Sequence, residues 1–345
     1  MKIDFDSVVH LLHESRHGSL ATQSIQMPGY PFASVLPFVL DENAYPVFLI
    51  SQLAEHTKNL TADCRASFIV HVYGAQNVLT AERVSLMGDV RQFDASAELV
   101  ARYLRYQPDA ERYLGLGDFA FFRLEPKRAR YVAGFGRMGW IEEADWASSV
   151  VLSLVDEEKL VHSLIEAQPA GIKLLGLDCY GFDFERTGKR ERQRFPDGPL
   201  AADKIGEAVE RILSTIKAYL ETHYRIEGDT PMTLLIGEQN ASLAALHETS
   251  HVESSAFITA WNPFSRRCDP ATNARRQEDL AHELTKLGLQ FIAGTGRHPT
   301  SQWAEPSFLA LGLSLDVAKE LGSRYEQSAI VWAGRDAVPQ LVLLR

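Results

Sequence analysis

At 345 residues, 46% of them hydrophobic and 23% charged, the chain has room for roughly two or three domains and buries roughly 75% of its unfolded surface without disulfides or metals. That composition argues against disorder, collagen-like repeats and coiled coil. The net charge of -10 argues against a general nucleic-acid binder, whose phosphate contacts need a dense Lys and Arg surface.

Cys64, Cys179 and Cys268 are widely spaced, without a CxxC pair, and fit a reducing compartment. The N-terminal stretch is acidic and amphipathic and lacks the apolar region of a signal peptide. No apolar run approaches the ~18 residues of a membrane span. A cytoplasmic protein without membrane or nucleic-acid partners is expected.

The first element is an amphipathic helix with Phe5, Val8, Val9, Leu11 and Leu12 on one face, ended by His17-Gly18. Strands follow at Ser19 to Ser24, Phe32 to Leu40 and Pro46 to Ser51, a helix at Glu55 to Ala62, and strands at Ala66 to His71 and Arg83 to Phe93. Ala95 to Tyr106 reads as a helix stopped before Pro108, and Asp118 to Pro126 and Ala129 to Gly134 read as two last strands. This order predicts an antiparallel split β-barrel with helical decorations. Glu142 to Asp145 is read as an acidic linker.

Beyond it, a helix from Asp156 stopped by Pro169, strands at Ile172 to Asp178, Phe182 to Glu185 and Arg190 to Phe195, and a helix from Asp203 to about His223 form a small α+β unit. The remainder alternates strand and helix: strands at Met232 to Ile236, Ser255 to Trp261, Leu289 to Ala293, Ser307 to Leu311 and Ser328 to Ala333, with helices at Ala241 to Leu246, Asn273 to Leu287 and Leu315 to Tyr325. The predicted fold class is α+β: a split barrel over residues 1–146, a companion domain over 147–216, and a C-terminal α/β domain over 217–345.

His56, Thr57, Lys58 and Asn59 open the helix after strand end Ser51. Hydroxyls, a cation and free N–H groups at one helix start suit a phosphate; an ordinary solvated helix start has the same residues. The surrounding stretches are Arg16-His17-Gly18, GYPFASVLP, the run from His56 to Leu60 with Asp63, Arg65 and Ser67, DFAFFRLEP and GFGRMGW. Together they resemble the FMN-binding split barrels of the pyridoxamine-phosphate oxidase superfamily, more narrowly its haem-utilisation branch, the HugZ/HutZ-type proteins.

The resemblance implies a homodimer through the barrel with FMN at the subunit interface. Its phosphate would lie near Thr57, Lys58 and Asn59, with His56 in the same helix turn. Ser34, Val35 and Leu36 would line the flavin edge, Ser51 would stand at the strand end, and Arg83 would lie beside the ring. Glu82-Arg83 replaces the Arg-Gln pair of the oxidases, which removes a cation from the oxidase substrate site. The expected function is flavin-dependent oxidoreduction of unknown substrate, the flavin supplying the electron chemistry.

Haem binding and breakdown, and a silent ligand- or protein-binding module, are the alternatives. Against haem, Ile165 to Pro169 stands where the family carries Met-Asn-x-Asp-His. His17, His71 and His162 remain as axial candidates, so loose haem binding without efficient ring opening is expected.

The C-terminal third resembles a domain family of unknown function through AFITAWNPFS, Asn273, Arg276, Gly294, Gly296, Trp303 to Ser314 and Tyr325 to Trp332. Thr259, Trp261 and Asn262 end a strand at Pro263, where Glu305, Gln327 and Arg276 could converge on a polar site; a structural Asn-Pro turn is the alternative. His247-Glu248-x-x-His251 matches the zinc-protease pattern, but Thr249 and Ser250 read as a helix exit, so no metal site is expected. Gly294 to His298 reads as a surface turn, and none of the cysteines as a nucleophile.

Overall fold

Leu20, Phe68, Leu86, Ala129 and Ile141 form one cross-strand row over five strands, and each is essentially inaccessible to water. This row follows from period-two alternation, because successive strand side chains point to opposite faces. The computed structural model describes residues 3–72, 77, 79–134, 136–228, 231–300 and 303–344; Phe135 of the GFGRMGW stretch lies outside them. The chain divides into two compact units, Met1–Arg211 and Ile212–Arg345.

The first unit runs α1 (Phe5–Glu14), β1 (His17–Gln23), β2 (Pro31–Pro37), β3 (Val39–Leu40), β4 (Pro46–Ser51), α2 (Glu55–Ala62), β5 (Arg65–His71), β6 (Glu82–Gln92), α3 (Ala97–Tyr106), α4 (Glu111–Leu114), β7 (Phe119–Ala133), β8 (Met138–Glu142), α5 (Glu143–Ala147) and α6 (Leu154–Ser163). Strands β1 to β8 form an antiparallel sheet in the order β2-β1-β5-β6-β7-β4-β3, with β8 on β7. This curled split barrel closes over a core that includes Phe38, Phe48, Phe68 and Tyr131. A three-stranded sheet, β9 (Ile172–Asp178), β10 (Gly181–Arg186) and β11 (Lys189–Arg194), completes the unit.

Four local expectations are corrected. Helix α1 ends at Glu14, and His17-Gly18 opens β1 instead of ending the helix: a Cβ on Gly18 would meet Phe68 Cζ at 2.5 Å, so glycine is what lets β1 lie on β5. The two last barrel strands are one strand, β7. Pro126 faces Gly88 where the register shifts, and a bulge tolerates a missing N–H. The acidic linker is a helix start: Glu142 and Asp145 form the capping box of α5. Helix α6 begins after Ser153, whose hydroxyl accepts from Asp156 N, and it ends at Ser163, before Pro169.

Helix α7 (Ala202–Glu221) bridges the sequence boundary of the two units. The second unit contains β12 (His223–Ile226), β13 (Met232–Leu234), α8 (Ala241–Thr249), β14 (Ser255–Ile258), α9 (Pro270–Lys286), β15 (Phe291–Arg297), β16 (Ala304–Leu311), α10 (Leu315–Arg324), β17 (Ala329–Ala333) and β18 (Gln340–Leu343). Its sheet, β13-β12-β15-β16-β14-β17-β18, is antiparallel in each described pairing. The expected α/β domain is therefore a second curled antiparallel sheet within the α+β class. Gly294 and Gly296 lie inside β15, not in a surface turn; a Cβ on Gly294 would meet the Arg225 carbonyl at 2.7 Å. Among the described residues no helix is long and apolar enough to cross a membrane.

Candidate functional site

On the barrel face opposite the core, alternate residues also form rows. Val35, Ser19, Ile69 and Ser85 stand side by side across β2, β1, β5 and β6. One step along, His17 pairs with Pro37 and His71 with Arg83, and His17 and His71 lie two residues beyond the last β1–β5 pair, Ser19–Ile69. Period-two alternation thus puts both imidazoles on the face that carries Ser19 and Ile69.

This face opens into a cavity of about 720 Å³, within the range of small-molecule sites. Leu11, Val35, Ile69 and Val72 give it an apolar wall, His17 and His71 project from it, and Arg16 and Lys189 supply cations. His71 Nδ1 lies 3.1 Å from the Val72 carbonyl. A carbonyl only accepts, so Nδ1 carries the proton and Nε2 of the neutral ring keeps its lone pair.

A buried ionic network braces the strands and helix that carry Arg16 and His17. His13 Nδ1 donates to Asp183 at 2.5 Å, its Nε2 lies 3.1 Å from Asp178, and Arg192 bonds both carboxylates at 3.0 and 2.9 Å. The Tyr106 hydroxyl donates to Asp183 at 2.6 Å. Burial pushes the Asp183 carboxyl up, but the charges of His13 and Arg192 and the bonds from His13 and Tyr106 bring it well below the usual carboxylate range. Arg102 and Glu157 form a second fully buried pair. Burial, aided by Arg192, lowers His10 to about 2 and keeps it neutral.

The residues expected to hold FMN are distributed differently. Thr57 and Asn59 are buried: the Thr57 hydroxyl donates to Ser51 O at 2.7 Å, and the Asn59 amide joins Thr22 Oγ1 and Ile25 N at 3.0 Å. Ser51 donates to Asp118 at 2.6 Å, and His56 Nδ1 bonds Ser34 at 3.1 Å. Burial lowers the His56 pKa, and its Nε2 is buried without a partner. Lys58 is exposed, Leu36 is in the core, Val35 is exposed, and Arg83 reaches the Leu79 and Ala81 carbonyls. The start of α2 thus closes the barrel with two of its three expected phosphate groups. Sequence reasoning named His17 and His71 only as weak axial candidates and missed Lys189; the strand alternation around Ile69 was the usable signal.

In the second unit, Asn262, Glu305 and Gln327 do converge and line one cavity. Arg276 instead braces the backbone: its Nε donates to Ala260 O at 3.0 Å and its Nη2 to Tyr325 O at 2.8 Å. His247 lies on α8 and bonds Ser255 at 2.9 Å, whereas His251 lies past the helix end at φ +54°. The two imidazoles share no helical face. Among the described residues no group of three or more His, Cys, Asp or Glu is placed to hold a metal ion.

Residues 9–148 match the family model described as CREG, beta-barrel, and residues 258–330 match a protein family of unknown function, DUF3293. The non-canonical heme oxygenase HOZ, chloroplastic, of Arabidopsis thaliana is 29% identical over 219 residues, 56% of this chain and 67% of that protein. Heme oxygenase HutZ of Vibrio cholerae is 26% identical over 126 residues, 34% of this chain and 71% of that protein. A solved heme binding protein from Mycobacterium smegmatis shares 21% identity, with 62% of this chain and 99% of that one covered, at a TM-score of 0.40.

Proposed function

The chain is a CREG-like split β-barrel related to the HutZ and HOZ proteins and extended by a DUF3293 domain, and from that premise we propose that its barrel binds haem and supports oxidative opening of the ring. One observation carries the reading: His71, its Nδ1 3.1 Å from the Val72 carbonyl, lines an apolar-walled cavity that has cations at its edge. An imidazole whose other nitrogen donates to a carbonyl is oriented for iron ligation, and haem needs apolar burial for its ring and cations for its two carboxylates. His71 would hold the iron, and Arg16 and Lys189 would receive the carboxylates. The bound iron supplies the oxygen chemistry; the chain supplies placement.

Sequence reasoning put FMN first and haem second. The named relatives reverse that order, and the inward side chains of Thr57 and Asn59 remove groups that a phosphate would need. A second copy of the chain is the proposed partner of the same outer face, where Val35, Met87, Met138 and Trp140 are exposed.

The test is optical. Hemin added to the full chain is expected to give a saturable Soret band, which ascorbate in air then bleaches with release of iron and a bilin. A bleach-resistant Soret band would overturn the ring-opening half. A flavin spectrum in the purified protein, with no Soret band after hemin, would overturn the whole reading.

A further inference from the structure

The second unit holds a cavity of about 470 Å³, walled by the end of α7, the loop after β14 and the start of β16. Glu305 stands in its wall, opposite Gly296 in the sheet register. Its Oε1 accepts from Asn262 Nδ2 at 2.7 Å, and the Trp303 indole donates to the same carboxylate. Asn262 is itself fixed: its backbone N donates to Asn273 Oδ1 at 2.9 Å, and its Oδ1 accepts from Asn273 Nδ2 at 2.9 Å and Cys268 N at 3.1 Å. A carboxylate has about four acceptor sites, so a carboxylate held by these two donors can still receive a ligand's N–H groups.

Arg267 lines the same cavity and makes no ion pair among the described residues. Among the described residues the wall therefore offers a partly buried carboxylate, a guanidinium without an ion pair, and the Trp303 and Tyr219 rings. The loop that carries Asn262 and Arg267 is strained: Asn262, Phe264 and Ser265 have φ of +47°, +54° and +58°. Such non-glycine conformations carry a backbone cost and cluster where a ligand is held. Burial raises the Glu305 carboxyl, and a cationic group beside it would restore its ionised form.

We propose that this cavity binds a small zwitterion of the α-amino-acid class with an apolar or aromatic side chain, its ammonium group on Glu305 and its carboxylate on Arg267. The two charged groups on the ligand's Cα fix its orientation, and Trp303 lines the wall for its apolar side chain. This site is separate from the haem reading of the barrel and stands without it.

The test uses calorimetry on the full chain with L-phenylalanine and L-leucine, alongside phenethylamine, which lacks the acid, and 3-phenylpropionate, which lacks the amine. At least one amino acid is expected to bind saturably, and each single-charge analogue at least about tenfold more weakly, because a charge-assisted bond is lost. Arg267→Ala, an exposed position, should weaken the amino acid and leave phenethylamine unchanged; Glu305→Gln should weaken the amino acid and leave 3-phenylpropionate unchanged. Absence of saturable binding by both amino acids at millimolar concentration, or equal affinity for zwitterion and single-charge analogues, overturns the proposal. If Glu305→Gln fails to fold, the Arg267→Ala comparison decides it.

Discussion

His17 and His71 stand at the open ends of antiparallel neighbours β1 and β5, two residues past the pair Ser19–Ile69 and on the same outer face. His71 has its proton fixed on Nδ1 by a backbone carbonyl at 3.1 Å.

His71→Ala should raise the hemin dissociation constant at least about tenfold, an effect of about 1.4 kcal/mol, and shift the Soret maximum. His17→Ala should do less, since it removes a wall of the cavity and leaves the iron ligand in place. Equal losses in a parallel hemin titration would show that His71 is not the ligand.

The buried network under this face makes a stability prediction. Asp183→Asn leaves Arg192 and His13 facing a neutral amide, and breaking a buried pair by removing one partner costs about 3–5 kcal/mol. The Asp183 carboxyl is held below its unfolded value of about 4. Its contribution is then complete above that value and is lost as pH falls through the lower native one. Urea midpoints of wild type and variant should differ most near neutrality and converge below pH about 4; a gap that is unchanged in acid would show that the charge is not the cause.

Strand and helix positions in the barrel were legible because each element buries one face. Leu20, Phe68 and Leu86 each follow a serine and point inward, and Leu99 and Tyr103 recur at helical spacing on α3. The bulge at Pro126 was not legible: nothing local in Pro126-Lys127 separates a strand break from a register shift whose partner is Gly88, far off in sequence. The partners of the α2 side chains were not legible for a similar reason. Thr57 and Asn59 look like solvent-facing phosphate ligands until Thr22 and Ser51, from other strands, are seen to take their polar groups. The cavity at His71 draws on α1, β1, β2, β5 and β11, so its shape depends on contacts that no single stretch contains.

The outer barrel face predicts association. Met138 and Trp140 of β8 are about two-fifths exposed and Val35 of β2 about two-thirds, and exposed apolar side chains gathered on one sheet face suit a contact surface. Light scattering at micromolar concentration should give the mass of two chains, and Val35→Asp combined with Met87→Asp should give one. A monomeric parent protein would sink the proposed self-association.

Asp41 makes the remaining prediction, with the opposite sign to Asp183. Its side chain is buried; Oδ1 accepts from Asn43 N and Tyr45 N at 2.9 Å, while Oδ2 has no hydrogen-bond partner and lies 3.6 Å from Arg123. Burial pushes this carboxyl up to about 7, against about 4 when unfolded. Between those values the native chain holds a proton that the unfolded chain has released, so this group's contribution to stability declines as pH rises through the window. Asp41→Asn keeps the acceptor for both backbone N–H groups and carries no titrating proton. The variant should match the parent near pH 4 and exceed it above pH 7 by about 2–4 kcal/mol, the linkage expected from a shift of this size. Chemical unfolding at a series of pH values measures the difference directly. If the variant gains nothing between pH 4 and pH 8, Asp41 is not a buried carboxylate of raised pKa, and its unpartnered oxygen is satisfied in solution by water.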